Sequence, residues 1–360
     1  MKNKKILEIC LSPNLGGLEL FMLSCVSGFS KYSEVITVVA PSKKLDSYLN
    51  SNEVIKIKRN KLFPIFPAFK LSKVIDEQEI DLVHFHWTRD ITTVVLAKVL
   101  SKRKPKIIQS RHMTMTRFKD DIYHKWLYKN IDLMHAVTNQ VKEQLEKFIP
   151  LDIQPMIKRV YLGTKIPMIN KNRVLALNEE YGLEESFVIG IVGRIEEGKG
   201  QYLLLEALAK LNNKKIKILI VGQAMENSYL LELETKCKEL GIKEQVIFSG
   251  FTKEVNEHMT LCDVTVLATP KETFGLVVIE SMANRVPVIA TNNGGPLEII
   301  EDGIDGILFD RTSTDLAEKI DILYHDEVLK EKITMNALET VIKKFNYKNQ
   351  INQLYKIIIF

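Results

Sequence analysis

Long apolar runs are missing from this sequence of 360 residues. No stretch approaches the 18 or more residues a membrane-crossing helix needs, so none is expected. Cysteine is scarce: Cys10, Cys25, Cys237 and Cys262 stand far apart, without a Cys-x-x-Cys pair. That spacing argues against a zinc knuckle or a disulfide framework and points to a reduced cytosol. Strong charge of one sign is lacking too, since 50 Lys and Arg against 45 Asp and Glu leave only +5. With no recognised nucleic-acid motif beside it, that mild charge disfavours a nucleic-acid partner. The basic start "MKNKKILEICLSPNLGG" has an apolar core that stops at Leu11. It is too short for a signal peptide and reads as a first strand.

What charge there is lies unevenly. "SKRKPK" (101–106) and "RHMTMTRFKDDIYHKWLYK" (111–129) concentrate cations with aromatics. They read either as solvated helix faces or as a patch toward an anionic membrane surface or acidic acceptor.

Short β-branched runs alternate with helical patterns along the whole chain. "KKILEICL", "EVITVVA", "DLVHFHW", "PKIIQS" and "LMHAVT" form one series; "FVIGIVG", "IKILIVG", "QVIFSG", "DVTVLAT", "VPVIAT" and "GILFD" form a second. Such alternation predicts right-handed βαβ units, and two series predict two doubly wound α/β domains. The linker falls near residues 160–172. The tail "NYKNQINQLYKIIIF" has helical spacing but β-branched last residues, so its structure is left open. In open α/β sheets ligands sit beyond the carboxyl ends of strands, so loops that follow strands should hold the chemistry.

Three such loops are rich in glycine. "SPNLGGLE" (12–19) places Gly16 and Gly17 at a helix start, where bare amides can approach an anion. "VGRIEEGKGQ" (192–201) matches the Walker pattern through Lys199 but has Gly200 where a Mg²⁺-holding hydroxyl belongs. Arg194 and Lys199 there suit a diphosphate without a metal, and the missing hydroxyl disfavours a P-loop ATPase. In "TPKETFGLVVIESMANRVPVIATNNGGPLEII" (269–300), Glu272 in the loop and Glu280 on the next helix can both reach a hydroxylated ligand. The amides of Phe274, Gly275, Leu276 and Val277 open that helix toward the same place. "HFHW" (84–87) sets His84 and His86 on one face of a strand end. Without an acidic or thiol partner evident in the sequence, they read as a structural strand end, acceptor contacts or the start of a metal site.

Taken together, Glu-x-Phe-Gly-x4-Glu, Gly-Arg-x4-Lys-Gly, Gly-Gly-x-Glu and "NNGGPLEII" resemble glycosyltransferase family four over nearly the whole chain. The resemblance implies the GT-B fold, with two facing Rossmann-like domains and an interdomain cleft. Residues 1–165 would form the acceptor-side domain and 166–345 the sugar-nucleotide domain, with a tail (346–360) able to pack back on the first. It implies a retaining, metal-independent transferase without cofactor. A hexose-type unit would move from a nucleoside diphosphate sugar, UDP-sugar first and GDP-mannose next, to a glycan or lipid-linked acceptor. Cell-surface polysaccharide or lipopolysaccharide synthesis at the inner face of the cell membrane is the implied setting. Gly16 and Gly17 would lie against the diphosphate, with Glu19 supporting their loop, and His112 would stand beside the transferred sugar. Arg194 and Lys199 would neutralise the leaving group, and Glu272 would contact the sugar ring. Phe274, Gly275 and Leu276 would offer amides, and Glu280 would bind the ribose. "YLGTKI" departs from the family's usual Asn-Gly-x-Asp joint. A nucleotide-sugar epimerase of the same fold and a non-catalytic sugar-nucleotide-binding subunit are the alternatives.

Overall fold

The computed structural model describes residues 4–49, 54–60 and 62–359; Phe360, the last of the tail, lies outside them. The chain divides into two units, one of residues 1–162 with 347–360 and one of residues 163–346.

The first unit carries β1 (Lys5–Cys10), β2 (Glu34–Val39), β3 (Val54–Lys56), β4 (Leu82–Phe85), β5 (Lys106–Arg111), β6 (Leu133–Ala136) and β7 (Met156–Arg159). These form a parallel sheet in the order β3-β2-β1-β4-β5-β6-β7. Its central strands are buried on both faces, which is why they read as unbroken apolar runs. Two strands, β3 and β7, were not legible in the sequence. Both are short, partly exposed edge strands without an apolar run.

The second unit holds β8 (Phe187–Val192), β9 (Ile216–Val221), β10 (Val246–Gly250), β11 (Val264–Leu267), β12 (Val288–Thr291) and β13 (Ile307–Phe309). Their order, β10-β9-β8-β11-β12-β13, is parallel throughout. Ile189, Ile191, Ile218, Ile220 and Val266 from the sheet meet Leu204, Leu208, Leu316 and Ile320 from its helices. In both sheets the chain winds outward in opposite directions from one central pair, β1/β4 and β8/β11. The loops on either side of that pair diverge and leave room for a ligand.

The tail is a helix, Tyr347–Ile358. Ile351, Leu354 and Ile358 recur at helical spacing and are buried with Cys25, Phe29 and Ile6. Tyr347 donates to the Ser24 carbonyl at 2.9 Å, and the Tyr355 and Ser33 hydroxyls lie 2.6 Å apart. Burial of that stripe overrides the β-branched end.

Candidate functional site

In the second unit β8 ends at Val192, and Arg194 follows before helix Gln201–Leu211. Gly200 caps that helix at φ +85, and a Cβ there would stand 2.3 Å from Ala268 Cβ, just past β11. A serine or threonine therefore has no room at position 200. The loop copies the front of a P-loop but is pressed onto the neighbouring strand where the metal-holding hydroxyl would be. Lys199 Nζ lies 3.8 Å from Glu272 Oε2, on the loop after β11, with both side chains partly open to solvent. Arg194 pairs with Glu196 at 2.9 Å, so one loop acid already has a partner, and the Arg194 carbonyl accepts from Gln201 Nε2 at 2.9 Å.

The Glu272 loop is held from below by "NNGG". Gly295 N donates to the Glu272 carbonyl at 2.9 Å, and Asn293 Nδ2 donates to the Pro270 carbonyl at 3.0 Å. A Cβ on Gly294 would meet the Glu272 carbonyl oxygen at 2.3 Å, and one on Gly295 would meet the Phe274 carbonyl oxygen at the same distance. Both glycines thus let two loops lie backbone to backbone. Gly275 caps helix Leu276–Ala283, whose Leu276 and Val277 amides have no acceptor among the described residues. Phe274 is buried edge-on against Phe345, with ring centroids 6.0 Å apart. Burial raises the Glu280 carboxyl above the usual range, and no hydrogen bond to it is formed among the described residues. Glu280 is half-buried, and a poorly solvated carboxyl in that state is stabilised by ligand hydroxyls that donate to it.

In the first unit Gly16 precedes helix Gly17–Phe29 with extended backbone, and buried Glu19 lies under the same turn. Leu11 N donates to Asp90 Oδ2 at 2.8 Å, tying the β1 loop to the segment after β4. Asp90 Oδ1 has no hydrogen bond, Arg59 Nε stands 3.9 Å off, and burial pushes this carboxyl up to about 7.

His112 directly follows β5. Phe21, from helix Gly17–Phe29, lies edge-on between His112 and His86, with centroids 5.0 and 5.6 Å away. Burial, then the nearby imidazoles of His86, His135 and His84, hold His112 well below the usual histidine range, so it is neutral at pH 7. Its Nε2 is buried without a partner.

Behind it the expectation for His84 and His86 needs correction, for both an acid and a thiol lie beside them. The register sets Glu8 opposite His84. Glu8 Oε1 is 2.8 Å from His84 Nδ1 and Oε2 is 2.7 Å from His86 Nε2. Ser110 Oγ continues the chain, 2.8 Å from His84 Nε2 and 2.7 Å from His135 Nδ1, and His135 Nε2 ends it 2.7 Å from the Val160 carbonyl. Cys25, His84 and His86 also present ligand-type atoms within 4.8 Å of one another, but both His84 nitrogens are already engaged.

Valence fixes the polarity of this buried chain. A carbonyl only accepts, so His135 carries its proton on Nε2, and burial keeps it neutral with a pKa lowered to about 3. Its Nδ1 then accepts from the Ser110 hydroxyl, and Ser110 accepts from His84 Nε2–H. One further proton must lie on the bond between His84 Nδ1 and Glu8. His86, neutral with a pKa lowered to about 4 by burial and by His84, donates through Nε2 to Glu8. Its Nδ1 is left as a buried acceptor without a partner, in a ring 5.9 Å from that of His112.

Family models match both units: the model described as "Glycosyl transferase 4-like" covers residues 8–139, and "Glycosyl transferases group 1" covers 176–340. The chain belongs to the glycosyl transferases that these two models describe. The transferase is similar to the "Putative glycosyltransferase EpsD" of Bacillus subtilis (strain 168), at 28% identity over 90% of this chain and 88% of that one. It is also similar to the "N-acetyl-alpha-D-glucosaminyl L-malate synthase" of Bacillus anthracis, at 29% identity over 79% and 76%. Among solved structures, Anabaena Alr3699/HepE in complex with UDP and glucose has a TM-score of 0.87 at 21% identity, over 99% of this chain and 100% of that one. That likeness gives the fold, GT-B, with two Rossmann-like parallel-sheet units.

Of the residues singled out in the transferase's sequence, Arg194, Lys199, Glu272, Phe274, Gly275, Leu276 and Glu280 all lie on or beside the loops after the adjacent strands β8 and β11. Gly16, Gly17, Glu19 and His112 lie past β1 and β5, which flank β4 in the first sheet. Sequence reading missed Glu8, Asp90, Ser110 and His135. A signal existed for Glu8, a lone acid within the apolar strand "KILEIC".

Proposed function

We propose that this transferase moves a hexose-type sugar from a nucleoside diphosphate sugar to an acceptor hydroxyl with retention and without a metal. A UDP-sugar is favoured and GDP-mannose comes next. The observation that carries the reading is the meeting of Lys199 with Glu272 at the β8/β11 switch point, where two helices begin. A cation, helix amides and a carboxylate on one edge suit a diphosphate, its sugar and a ribose.

In this reading Arg194 and Lys199 take the diphosphate, Glu272 the sugar hydroxyls and Glu280 the ribose. Gly16, Gly17, Glu19 and His112 of the first unit are assigned to the diphosphate and the transferred sugar. The bond from the anomeric carbon to the phosphate oxygen breaks as the acceptor oxygen bonds to that carbon on the same face. The acceptor proton goes to the departing phosphate oxygen. The protein's part is to position both substrates and offset the growing phosphate charge. A relative named for lipopolysaccharide synthesis, the "Lipopolysaccharide core biosynthesis glycosyltransferase LpsE" of Rhizobium meliloti (strain 1021), favours a glycan or lipid-linked acceptor.

The test is release of nucleoside diphosphate from a panel of nucleotide sugars, with and without acceptor and chelator. Release that needs an acceptor and survives chelation is expected. Rearranged donor without acceptor would mean an epimerase, binding without release a non-catalytic subunit, and strict Mn²⁺ or Mg²⁺ dependence would remove the cationic-loop account.

Glu280→Gln probes the ribose assignment. Nucleotide affinity should fall about tenfold, the upper end of what one lost hydrogen bond contributes. Thermal stability should hold, because burial already disfavours the ionised carboxylate. Equal affinity in calorimetry would refute the role.

A further inference from the structure

Helix Ile65–Glu77 buries Pro67, Ala68, Leu71, Ser72 and Ile75 and turns its other face outward. That outer face is not polar. Phe66 is 64% exposed and Phe69 53%, and Leu62 and Phe63, just before the helix, are 83% and 56% exposed. The Phe63 and Phe66 rings meet edge-on at 6.3 Å, and Phe69 lies one helical turn beyond Phe66 on the same face. Monomeric soluble proteins rarely leave such a face in water.

The charge around it is mainly positive, with Glu77 at the end of the helix the exposed exception. Residues 58–73 contain Lys58, Arg59, Lys61, Lys70 and Lys73 and no acid. Arg59 is spoken for by the Trp87 ring, 4.9 Å away, and by Asp90. Lys58, Lys70 and Lys73 are exposed, and Lys73 Nζ lies 4.8 Å over the Phe69 ring. The next acid, Asp76, is taken up by the Ser101 hydroxyl and the Lys102 and Arg103 amides. By contrast, Arg103 in the basic stretch 101–106 is neutralised by Asp81 at 2.7 Å and Glu79 at 3.8 Å.

We infer that this aromatic and lysine face docks the protein onto an anionic lipid bilayer surface. Protruding rings enter the interfacial layer while lysines at their edge meet lipid phosphates. Lysine, a mobile point charge, suits a diffuse surface potential, whereas paired recognition of protein carboxylates favours arginine. No helix among the described residues is long and apolar enough to cross a membrane, so docking here is peripheral. This inference stands apart from the transfer reading, because vesicle binding needs no donor.

The full-length protein is sedimented with phosphatidylcholine vesicles and with vesicles of phosphatidylglycerol and phosphatidylcholine in equal parts. Binding to the mixed vesicles, and far less to the neutral ones, is expected. The combined change Phe63→Ser, Phe66→Ser and Phe69→Ser should cut partitioning at least about tenfold. Lys70→Glu with Lys73→Glu should cut it by about fivefold or more per lysine on anionic vesicles alone. Circular dichroism and melting temperature should not change, since every altered side chain is exposed. Wild-type protein left in both supernatants, or variants that bind equally well, would overturn the inference. So would light scattering that shows a dimer which the phenylalanine variant converts to monomer, for the face would then belong to a second copy.

Discussion

Lys199→Ala should lower turnover about 10²- to 10³-fold, on the scale of losing one donor that meets transition-state charge. The argument is electrostatic. Negative charge grows on the departing phosphate as the glycosidic bond opens, and Lys199 stands 3.8 Å from Glu272 where helix Gln201–Leu211 begins. Nucleotide affinity should fall less than turnover, because part of that charge appears only in the transition state. The fold should be untouched, since the side chain is about a third exposed and its ion pair is long. Lys199→Arg should recover part of the rate, for it restores the charge. Measured rates of nucleoside diphosphate release in Lys199→Ala equal to wild type would remove the residue from the mechanism.

Acidification should unfold the first unit well before the second. Burial lowers the pKa values of His86 and His135 to about 4 and about 3, so the unfolded chain binds more protons than the folded one from about pH 6.5 downward. Stability supplied by these neutral imidazoles is present above pH 6.5 and drains away as pH falls toward 4. Asp90 works the other way. Its carboxyl, pushed up to about 7, costs stability when ionised at higher pH and returns it below pH 7. The two histidines outweigh the single acid, leaving a net loss of about 2 to 3 kcal/mol by pH 4. Glu8→Ala should cost at least that much at pH 7, about 3 to 5 kcal/mol, because it strips two buried imidazoles of their shared acceptor. Fluorescence of Trp87 and Trp126, both in the first unit, reads this transition. A Trp signal flat to pH 4, or a Glu8→Ala protein as stable as wild type, would show that the chain from Glu8 to Val160 contributes little.

The sequence disclosed the doubly wound pattern because central parallel strands must be apolar on both faces. All six strands of the second unit were visible, the edge strands β10 and β13 because each keeps a short apolar run. Edge strands β3 and β7 need only one buried face and left no such trace. Lys199 and Glu272 were each suspect as residues, but their meeting depends on β8 lying next to β11, which sheet order decides and local pattern does not. Pairing with Arg194 accounts for Glu196, an acid within a loop suited to an anion. Glu8 illustrates the opposite case. Its oddity was on view, yet its partners came from β4, and only the register of Glu8 with His84 joins them.

Helix Tyr347–Ile358 completes the hydrophobic interior that β1 begins. Residues 163–346 are therefore an insertion within the first unit's sequence. On the ribosome the order of maturation is inverted. The second unit can close as soon as it emerges, while the first waits, with Phe29 and its neighbours uncovered, until the last helix has been synthesised.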